Sequence, residues 1–271
     1  MYKILAIFTC FNRREKTKRC LDRLIQGNFD VQFKFIAVDD ESTDGTFEML
    51  SEYSEVQILR GNGKLYYSGG MRLGIAEAKE ICDGFDKVML LNDDVEFYPN
   101  VIEKLNKYGG ENEIIVGATC DRRGNLSYGG ANKKSKLKPA YQIVMSGNEK
   151  VYCDTFNANC VLIPAKIFKE LPNIDEVYTH YVGDYDYGLT AHKLGHSIVV
   201  SDFFVGECED NLTTETWRDT SLSRMERLKR KESPKGLPRK EWYHFVRKNY
   251  GLVIACVSSI KPYIKILIGR S

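Results

Sequence analysis

The first 95 residues alternate between short apolar runs and segments with helical spacing, which constrains the fold more than any other feature of the chain. Apolar runs typical of buried strands lie at residues 3–9, 33–38, 56–59 and 87–91. After the first run, Thr17, Cys20 and Leu24 recur at helical spacing. The alternation predicts an α/β fold with a mostly parallel central sheet flanked by helices.

Polar residues follow three of these predicted strands at the point where each one ends. Asp39 and Asp40 follow the second strand, residues 61–63 the third, and residues 92–94 the fourth. Because the carboxyl ends of parallel strands meet at one edge of a sheet, we expect the three segments to converge on a single ligand crevice.

Asn92, Asp93 and Asp94 place paired carboxylates at that edge. Mg²⁺ is commonly held by a few carboxylates together with phosphate oxygens, so a metal site is one interpretation, and an acidic turn is the other. Asp40 likewise has two interpretations. It could stabilise a turn through side-chain hydrogen bonds to the backbone, or it could accept hydrogen bonds from a pyrimidine or a ribose.

Two glycine-rich segments, residues 61–63 and 68–70, precede a helix predicted to begin near Met71. Glycine allows close backbone approach, and a helix N-terminus offers free N–H groups to a diphosphate. Arg72 could add a charge-assisted bond to phosphate. A simple turn before a helix is the alternative.

Asp184 and Asp186 lie in an acidic segment, and either one could point inward from a loop. A carboxylate placed there is a candidate general base for removing a hydroxyl proton. A solvated surface position is the alternative, since charged side chains are mostly exposed.

The composition, with 43% hydrophobic and 28% charged residues, is that of a globular protein rather than a disordered or membrane-spanning one. The eight cysteines include no C-x-x-C pair, which favours free thiols in a reducing compartment. Residues 12–16 are polar where a signal peptide would have a small-residue cleavage site, so we expect a cytoplasmic protein.

The C-terminal part of the chain is basic. Residues 218–248 hold 11 lysines and arginines against four acidic residues, and Lys261, Lys265 and Arg270 follow. Apolar residues interleaved with lysine between 252 and 268 suit an interfacial helix at the inner face of the cell membrane, and a packed terminal helix is the alternative. An anionic membrane surface is therefore a candidate partner.

Several ordered segments resemble bacterial family 2 glycosyltransferases. The donor half is matched by IFTCFNR at residues 7–13, VDDESTDGT at 38–46, GNGKLYYSGGMRLG at 61–74 and LLNDDV at 90–95. The acceptor half is matched by NCVLIP at 159–164 and by residues 175–195. FVRKN at 245–249 resembles an element of rhamnosyl- and galactofuranosyl-transferase-like relatives.

The resemblance implies an A-type nucleotide-sugar-binding fold and an inverting transfer that depends on Mn²⁺ or Mg²⁺. The implied donor is a UDP- or dTDP-activated hexose or rhamnose, and the implied acceptor a glycan or lipid-linked glycan in cell-surface polysaccharide synthesis. No nucleic acid partner is expected. We expect a catalytic domain at 1–210, with its nucleotide-sugar half at 1–95 and its acceptor half at 96–210, followed by a helical extension at 211–271.

The family's roles can be carried over by position. The catalytic base falls on Asp184, and the metal ligand on Asp94, with Glu207 a substitute for the histidine of many relatives. Donor binding is assigned to Thr9, Phe11, Asn12, Asp40, Gly63, Arg72, Asn92 and Asp93. Acceptor binding or support is assigned to Asn159, Asp186 and Arg247.

Two other functions remain open at this level. A nucleotidyltransferase should carry a glycine-rich phosphate loop directly after the first strand, where this chain reads TCFNR at 9–13. A non-catalytic sugar-binding homologue would keep the fold without activity. A nicotinamide enzyme is disfavoured because G-x-G-x-x-G is absent from the first strand-helix turn.

Overall fold

The computed structural model describes residues 1–145, 147, 149–209 and 216–270. The strands are β1 (Tyr2–Cys10), β2 (Val31–Asp39), β3 (Val56–Arg60), β4 (Lys87–Leu91), β5 (Glu96–Phe97), β6 (Glu113–Cys120), β7 (Leu126–Tyr128), β8 (Gly130–Lys133), β9 (Tyr141–Val144), β10 (Val151–Tyr152), β11 (Thr155–Phe156), β12 (Cys160–Pro164) and β13 (Ser197–Glu207). The helices are α1 (Arg14–Gly27), α2 (Thr46–Leu50), α3 (Tyr66–Ile81), α4 (Val101–Tyr108), α5 (Ala165–Glu170), α6 (Gly183–Lys193), α7 (Arg224–Glu232), α8 (Arg239–Tyr250) and α9 (Leu252–Leu267).

The central sheet has the strand order β10-β13-β6-β12-β4-β1-β2-β3, with β5 and β7 paired at its side. Strands β1, β2, β3 and β4 are mutually parallel, whereas β12 runs antiparallel to both β4 and β6. The four strands expected from the sequence therefore share one sheet. The predicted α/β fold with a mostly parallel sheet is confirmed, and β8, β9 and β11 form a small second sheet.

Hydrophobic cores lie on both faces of the central sheet. On one face, Ile7 and Ile36 pack with Met71 and Ile75 of α3. On the other face, Phe8 packs with residues of α1, α2 and α4. Successive residues of β1 thus enter opposite cores, which explains why the first run is continuously apolar rather than alternating.

Helix α3 begins at Tyr66, five residues before the start near Met71 that the sequence predicts. Gly70 therefore lies inside the helix, where an added Cβ would come 2.2 Å from Thr9 Oγ1. The glycines of this segment allow α3 to pack closely on β1, and the predicted start near Met71 is corrected.

Trp217, Leu237 and Ile266 form a small core among the C-terminal helices α7, α8 and α9, and Phe245 and Ala255 join α8 and α9 to the core of the central sheet. Buried Arg227 donates hydrogen bonds to the backbone oxygens of Trp217 and Arg270, which ties α7 to the end of the chain. The predicted boundary between residues 210 and 211 lies outside the described residues. Within the described part of the chain, no helix has the length and apolar character needed to cross a membrane.

Candidate active site

The turn after β1 is hydrogen-bonded to the turn after β2. The backbone N–H of Asn12 donates to Ser42 Oγ at 2.9 Å, and Asn12 Oδ1 accepts from the Thr43 N–H at 2.8 Å. Thr9 Oγ1 donates to the Val38 carbonyl at 3.1 Å. Phe11 is 48% exposed at the rim of the same crevice. The carboxyl ends of β1 and β2 therefore form one rigid edge, as the strand pattern predicts.

Asp40 is buried at the bottom of this edge and has one oxygen without a partner. Its Oδ2 accepts hydrogen bonds from the N–H groups of Leu65 and Tyr66, at 2.9 and 3.0 Å. Its Oδ1 is buried and accepts no hydrogen bond from any residue that the structure describes. Because an unpaired buried carboxylate oxygen is costly, this atom marks a place where a ligand N–H or O–H would be stabilised.

The start of α3 has its free N–H groups occupied by protein acceptors. Besides the two that Asp40 accepts, the Tyr67 N–H donates to His180 Nδ1 at 3.4 Å and the Ser68 N–H to the Thr179 carbonyl at 3.0 Å. The diphosphate site expected at this helix N-terminus is not seen, since these groups are used within the fold.

Arg72 and Gly63 have structural contacts of their own. Arg72 lies in the second turn of α3, and its Nη1 donates to the carbonyls of Asp175 and Tyr178 at 2.9 and 3.3 Å. Gly63 has a φ of +72°, in the left-handed region that favours glycine, and the atom nearest to an added Cβ would be Glu41 Oε2 at 2.7 Å, the mobile end of an exposed side chain. Their donor-binding roles remain predictions.

Asp93 and Asp94 lie directly after β4 and share the guanidinium of Arg13. Arg13 Nη1 lies 3.1 Å from Asp93 Oδ1 and 2.9 Å from Asp94 Oδ2. Thr17 Oγ1 of α1 donates to Asp93 Oδ2 at 2.8 Å. Burial raises the pKa of Asp93 to about 6, against the lowering effect of Arg13. Asp94 is the more exposed of the two, so it is the carboxylate more accessible to a ligand.

Cys208 contacts Asp94, whereas the predicted third metal ligand Glu207 points to a different partner. The Cys208 thiol donates to Asp94 Oδ1 over 3.8 Å, and burial raises the pKa of that thiol to about 12. Glu207 Oε1 instead accepts from the Tyr98 hydroxyl at 3.3 Å. The structure thus brings the neighbouring thiol to the strand-end carboxylate, and a ligand role for Glu207 remains a prediction.

Asp184 lies in the first turn of α6 and is half-buried. Its Oδ1 accepts from the Tyr185 N–H at 2.8 Å, and its Oδ2 accepts from the Ala158 N–H at 3.3 Å. Burial raises the pKa of Asp184 to about 6, and these backbone hydrogen bonds oppose the rise. A carboxylate whose pKa approaches neutrality is a better general base than a solvated one.

Residues 158 and 159 connect Asp184 to the strand-end carboxylates. Ala158 donates to Asp184, while the carbonyl of Asn159 accepts from the Asn92 N–H at 3.3 Å. The side-chain amide of Asn159 also donates to Cys208 Sγ at 3.3 Å. Consecutive residues therefore contact the candidate base and two neighbours of the candidate metal carboxylate, Asn92 and Cys208.

Asp186 has a different environment from Asp184, although only two residues separate them. It is buried, its Oδ2 accepts from Lys248 Nζ at 2.6 Å, and its Oδ1 accepts from Asn249 Nδ2 at 3.0 Å. Arg247, which the sequence predicts to support the acceptor side of the site, is exposed. The polar residues of α8 that reach α6 are thus Lys248 and Asn249, and they anchor the helix.

His180 lies between the two tyrosines at the start of α3. Its ring makes edge contacts with Tyr66 and Tyr67, with centroids 6.3 Å away in both cases. Burial lowers the pKa of His180 to about 4, so the ring is neutral at physiological pH and its Nδ1 can accept from the Tyr67 N–H.

A divalent cation fits the chemistry at Asp94 only with help from a ligand. No group of three or more His, Cys, Asp or Glu side chains is arranged to hold a metal ion in the described part of the chain. The two carboxylates already stabilise the positive charge of Arg13. Hard cations accept a few carboxylates and complete their coordination with phosphate oxygens and water, so the site suits a cation that arrives with a diphosphate.

Sequence reasoning did not identify Arg13, His180 or Cys208. Arg13 is the last residue of the IFTCFNR segment, and Cys208 directly follows Glu207. Their partners lie tens of residues away along the chain, from 80 residues for Arg13 and Asp93 to 114 for Cys208 and Asp94. No local spacing signals such pairs.

Comparison with known protein families gives one match. Residues 6–162 match the family described as Glycosyl transferase family 2. That match extends from β1 into β12 and includes Arg13, Asp40 and the 92–94 segment. No curated protein sequence gives a significant match to the chain.

Solved structures share the fold at low sequence identity. S. aureus TarS 1–349 in complex with UDP is 12% identical with a TM-score of 0.60, and the alignment covers 98% of this chain and 71% of that one. Mannosyltransferase PcManGT from Pyrobaculum calidifontis, in complex with GDP-Man and Mn²⁺, is 10% identical with a TM-score of 0.54, covering 98% and 73%. GalNAc-T7 with UDP, GalNAc and Mn²⁺ is 13% identical with a TM-score of 0.51, covering 73% and 41%.

Proposed function

The chain belongs to glycosyl transferase family 2, and we propose that it is an inverting glycosyltransferase that moves a sugar from a nucleotide diphosphate to a hydroxyl of a glycan acceptor. The observation that carries the proposal is the junction at residues 158 and 159. A carboxylate with a raised pKa, Asp184, is held there next to the residue that contacts Asn92 and Cys208. Family membership argues against the nucleotidyltransferase alternative.

Asp184 is proposed to remove the proton from the acceptor hydroxyl. The acceptor oxygen then bonds to the anomeric carbon as the bond from that carbon to the diphosphate oxygen breaks, and the anomeric configuration is inverted. The activation free energy of this step is lower if the base has a pKa near the working pH, which burial of Asp184 favours.

The donor is proposed to bind in the crevice between the strand ends. Asp40 Oδ1, buried and unpaired in the described structure, is a suitable acceptor for a nucleobase N–H, and the exposed ring of Phe11 lies at the rim. Thr9, Asn12, Gly63, Arg72, Asn92 and Asp93 are proposed to shape the rest of this pocket. The relatives solved with UDP, GDP-Man or Mn²⁺ support a nucleotide-sugar donor and a divalent cation.

Asp94 is proposed to hold Mn²⁺ or Mg²⁺ together with the donor diphosphate, with Glu207 as a further ligand. Such a cation neutralises the charge that builds up on the departing diphosphate. A UDP- or dTDP-linked hexose or rhamnose is the proposed donor, and a cell-surface glycan is the proposed acceptor, with Asn159, Asp186 and Arg247 supporting its side of the site. We also propose the division into 1–95, 96–210 and 211–271.

A donor screen tests this function. Purified protein is incubated with UDP-, dTDP- and GDP-sugars, and release of the nucleoside diphosphate is measured with Mn²⁺, with Mg²⁺ and with chelator. Release from one class of donor that stops with chelator and returns with metal supports the proposal. Release that continues undiminished in chelator contradicts the proposed metal dependence. Absence of release from every donor contradicts the proposed glycosyltransferase function.

The outer face of α9 supports a second proposal, attachment to an anionic membrane. Ala255, Ser259, Pro262 and Ile266 face the protein, whereas the opposite face exposes a continuous set of apolar side chains. Its members are Leu252, Val253, Val257, Ile260, Ile264, Leu267 and Ile268. We call this set the α9 apolar face.

The charges around the α9 apolar face favour lipid over a second copy of the chain. Residues 218–270 hold 14 lysines and arginines against four acidic residues, and Lys261 is exposed beside the apolar face. A second copy would bring the same positive charges together, whereas anionic headgroups would attract them. An enzyme attached in this way at the inner face of the cell membrane would meet a lipid-linked glycan acceptor.

A further inference from the structure

Arg13 is the only cationic side chain that contacts both strand-end carboxylates in the part of the chain that the structure describes. Its Nη1 lies 3.1 Å from Asp93 Oδ1 and 2.9 Å from Asp94 Oδ2. Within the described residues, the Arg13 side chain donates two hydrogen bonds, one to each of these carboxylates. The side chain is 46% exposed. Nothing else described there holds the guanidinium in place.

The two carboxylates differ in what they would lose if Arg13 moved away. Asp93 is 3% exposed and keeps a second partner, because Thr17 Oγ1 donates to its Oδ2 at 2.8 Å. Asp94 is more exposed, and apart from Arg13 it has the weak contact with the Cys208 thiol at 3.8 Å. A cation that binds Asp94 therefore competes directly with Arg13.

We propose that Arg13 is an internal counter-ion which weakens binding of a divalent cation to the free protein and makes that binding depend on the donor diphosphate. This inference rests on the proposed function, because it concerns the same carboxylates. It assigns Arg13 a positioning role that the family resemblance alone does not provide.

The physical argument is one of charge balance. A dication on Asp94 would lie within a few ångströms of the guanidinium, and charges that close repel strongly at a partly buried site. A diphosphate adds negative charge, and arginine can bind its oxygens through two parallel hydrogen bonds. With the diphosphate present, both cations are compensated, and the exposed Arg13 side chain is free to turn towards it.

Thermodynamic linkage gives the proposal a measurable form. If the diphosphate strengthens Mn²⁺ binding by some factor, Mn²⁺ must strengthen diphosphate binding by the same factor. We expect a factor of roughly ten in the unmodified protein, which corresponds to about 1.4 kcal/mol of relieved repulsion. Without the charge of Arg13 the factor should become smaller, and the part that remains would come from direct coordination of Mn²⁺ by the phosphate oxygens.

The test compares Arg13→Gln with Arg14→Gln. Arg14 is the neighbouring residue with the same charge, but its guanidinium contacts Glu15 rather than the strand-end pair. Mn²⁺ affinity is measured by electron paramagnetic resonance without nucleotide, and UDP or dTDP affinity by calorimetry with and without Mn²⁺. Arg13→Gln should bind Mn²⁺ alone roughly tenfold more tightly, and Arg14→Gln should match the unmodified protein.

Two further variants separate charge from structure. Arg13→Lys keeps the charge and should retain weak binding of Mn²⁺ alone. Arg13→Met keeps the apolar part of the side chain, and it replaces Arg13→Gln if circular dichroism shows that the glutamine variant is unfolded.

Distinct outcomes overturn the inference and the function. If Mn²⁺ and nucleotide bind but Arg13→Gln or Arg13→Met behaves like the unmodified protein, Arg13 is not the counter-ion. An equal effect of Arg14→Gln also overturns the inference, because the cause is then general charge. If the unmodified protein binds neither UDP, dTDP nor GDP under any metal condition, the proposed function fails, whereas the effect of Arg13 on Mn²⁺ alone is still decided.

Discussion

Asp184 accepts a 3.3 Å hydrogen bond from the backbone N–H of Ala158, the residue just before Asn159. Asn159 in turn contacts Asn92 and Cys208 through its carbonyl and its side-chain amide. This short segment therefore contacts both the candidate base and the residues that adjoin the strand-end carboxylates. An in-line transfer needs the base and the departing diphosphate in fixed positions, and this segment lies between the two parts of the site.

Replacement of Asp184 by asparagine should remove the base while donor binding stays close to normal. Loss of a general base typically lowers turnover by about 10²- to 10⁴-fold, so the turnover of Asp184→Asn should fall at least that far. Turnover and donor affinity are measured on the same preparation. Asp202→Asn is the control, since Asp202 is an exposed aspartate of β13. Near-normal turnover of Asp184→Asn, or retention of the anomeric configuration, would rule out this mechanism.

The raised pKa of Asp184 also predicts how stability changes with pH. Because its folded pKa is about 6 against an ordinary value of 3.8, the native state binds more protons between these pH values. The free energy of unfolding should therefore decrease as pH rises through that window. Asp184→Asn removes this loss, and because a shift of about two pKa units corresponds to about 3 kcal/mol, the variant should gain up to about that much relative to the unmodified protein at pH 8.

Urea denaturation at pH 5 and pH 8 measures this difference. The loss of the hydrogen bond from Ala158 offsets part of the gain at both pH values, so the informative quantity is the change between them. The advantage of Asp184→Asn should be larger at pH 8 than at pH 5. An advantage that is equal at both values would mean that Asp184 titrates at its ordinary pKa.

The positions of the strand ends could be predicted from the sequence, but their detailed partners could not. Apolar runs followed by Asp40 and by residues 92–94 indicate parallel strands whose carboxyl ends meet, and the structure has them in one sheet. Such a pattern is local, since each strand and the polar residues after it lie within about ten residues.

The start of α3 shows why the remainder was not predictable. Local glycine content suggested a start near Met71, but the helix begins at Tyr66 because distant groups satisfy its first N–H groups. Asp40 accepts from Leu65 and Tyr66, and His180 accepts from Tyr67 across 113 residues. Long-range hydrogen bonds of this kind leave no periodic signal in the sequence.

Asp186 should prove important for stability rather than for chemistry. It is buried and accepts hydrogen bonds from Lys248 and Asn249 of α8, so Asp186→Asn leaves the ammonium of Lys248 with a weaker partner. We expect a loss of about 1–3 kcal/mol in the free energy of unfolding, together with a smaller loss of turnover than for Asp184→Asn. Denaturant unfolding checks the first expectation, and steady-state kinetics of the folded variant the second. A variant that unfolds normally but loses turnover as fully as Asp184→Asn would assign Asp186 to the chemistry.

The α9 apolar face should bind vesicles that contain anionic lipid and should not bind purely zwitterionic ones. The apolar side chains are exposed, and Lys261, Lys265 and Arg270 lie on or just after the same helix, so burial in the interface and attraction to headgroups act together. Flotation of the full chain with each type of vesicle measures this, and binding should weaken as salt is raised. The double variant Val257→Asp and Ile264→Asp should abolish vesicle binding and leave the free energy of unfolding unchanged, because both residues are exposed.

Light scattering of the free protein tests whether a second copy of the chain covers the α9 apolar face. A stable dimer that the double variant converts to monomer, without any binding to anionic vesicles, would show that the face pairs two copies of the chain instead.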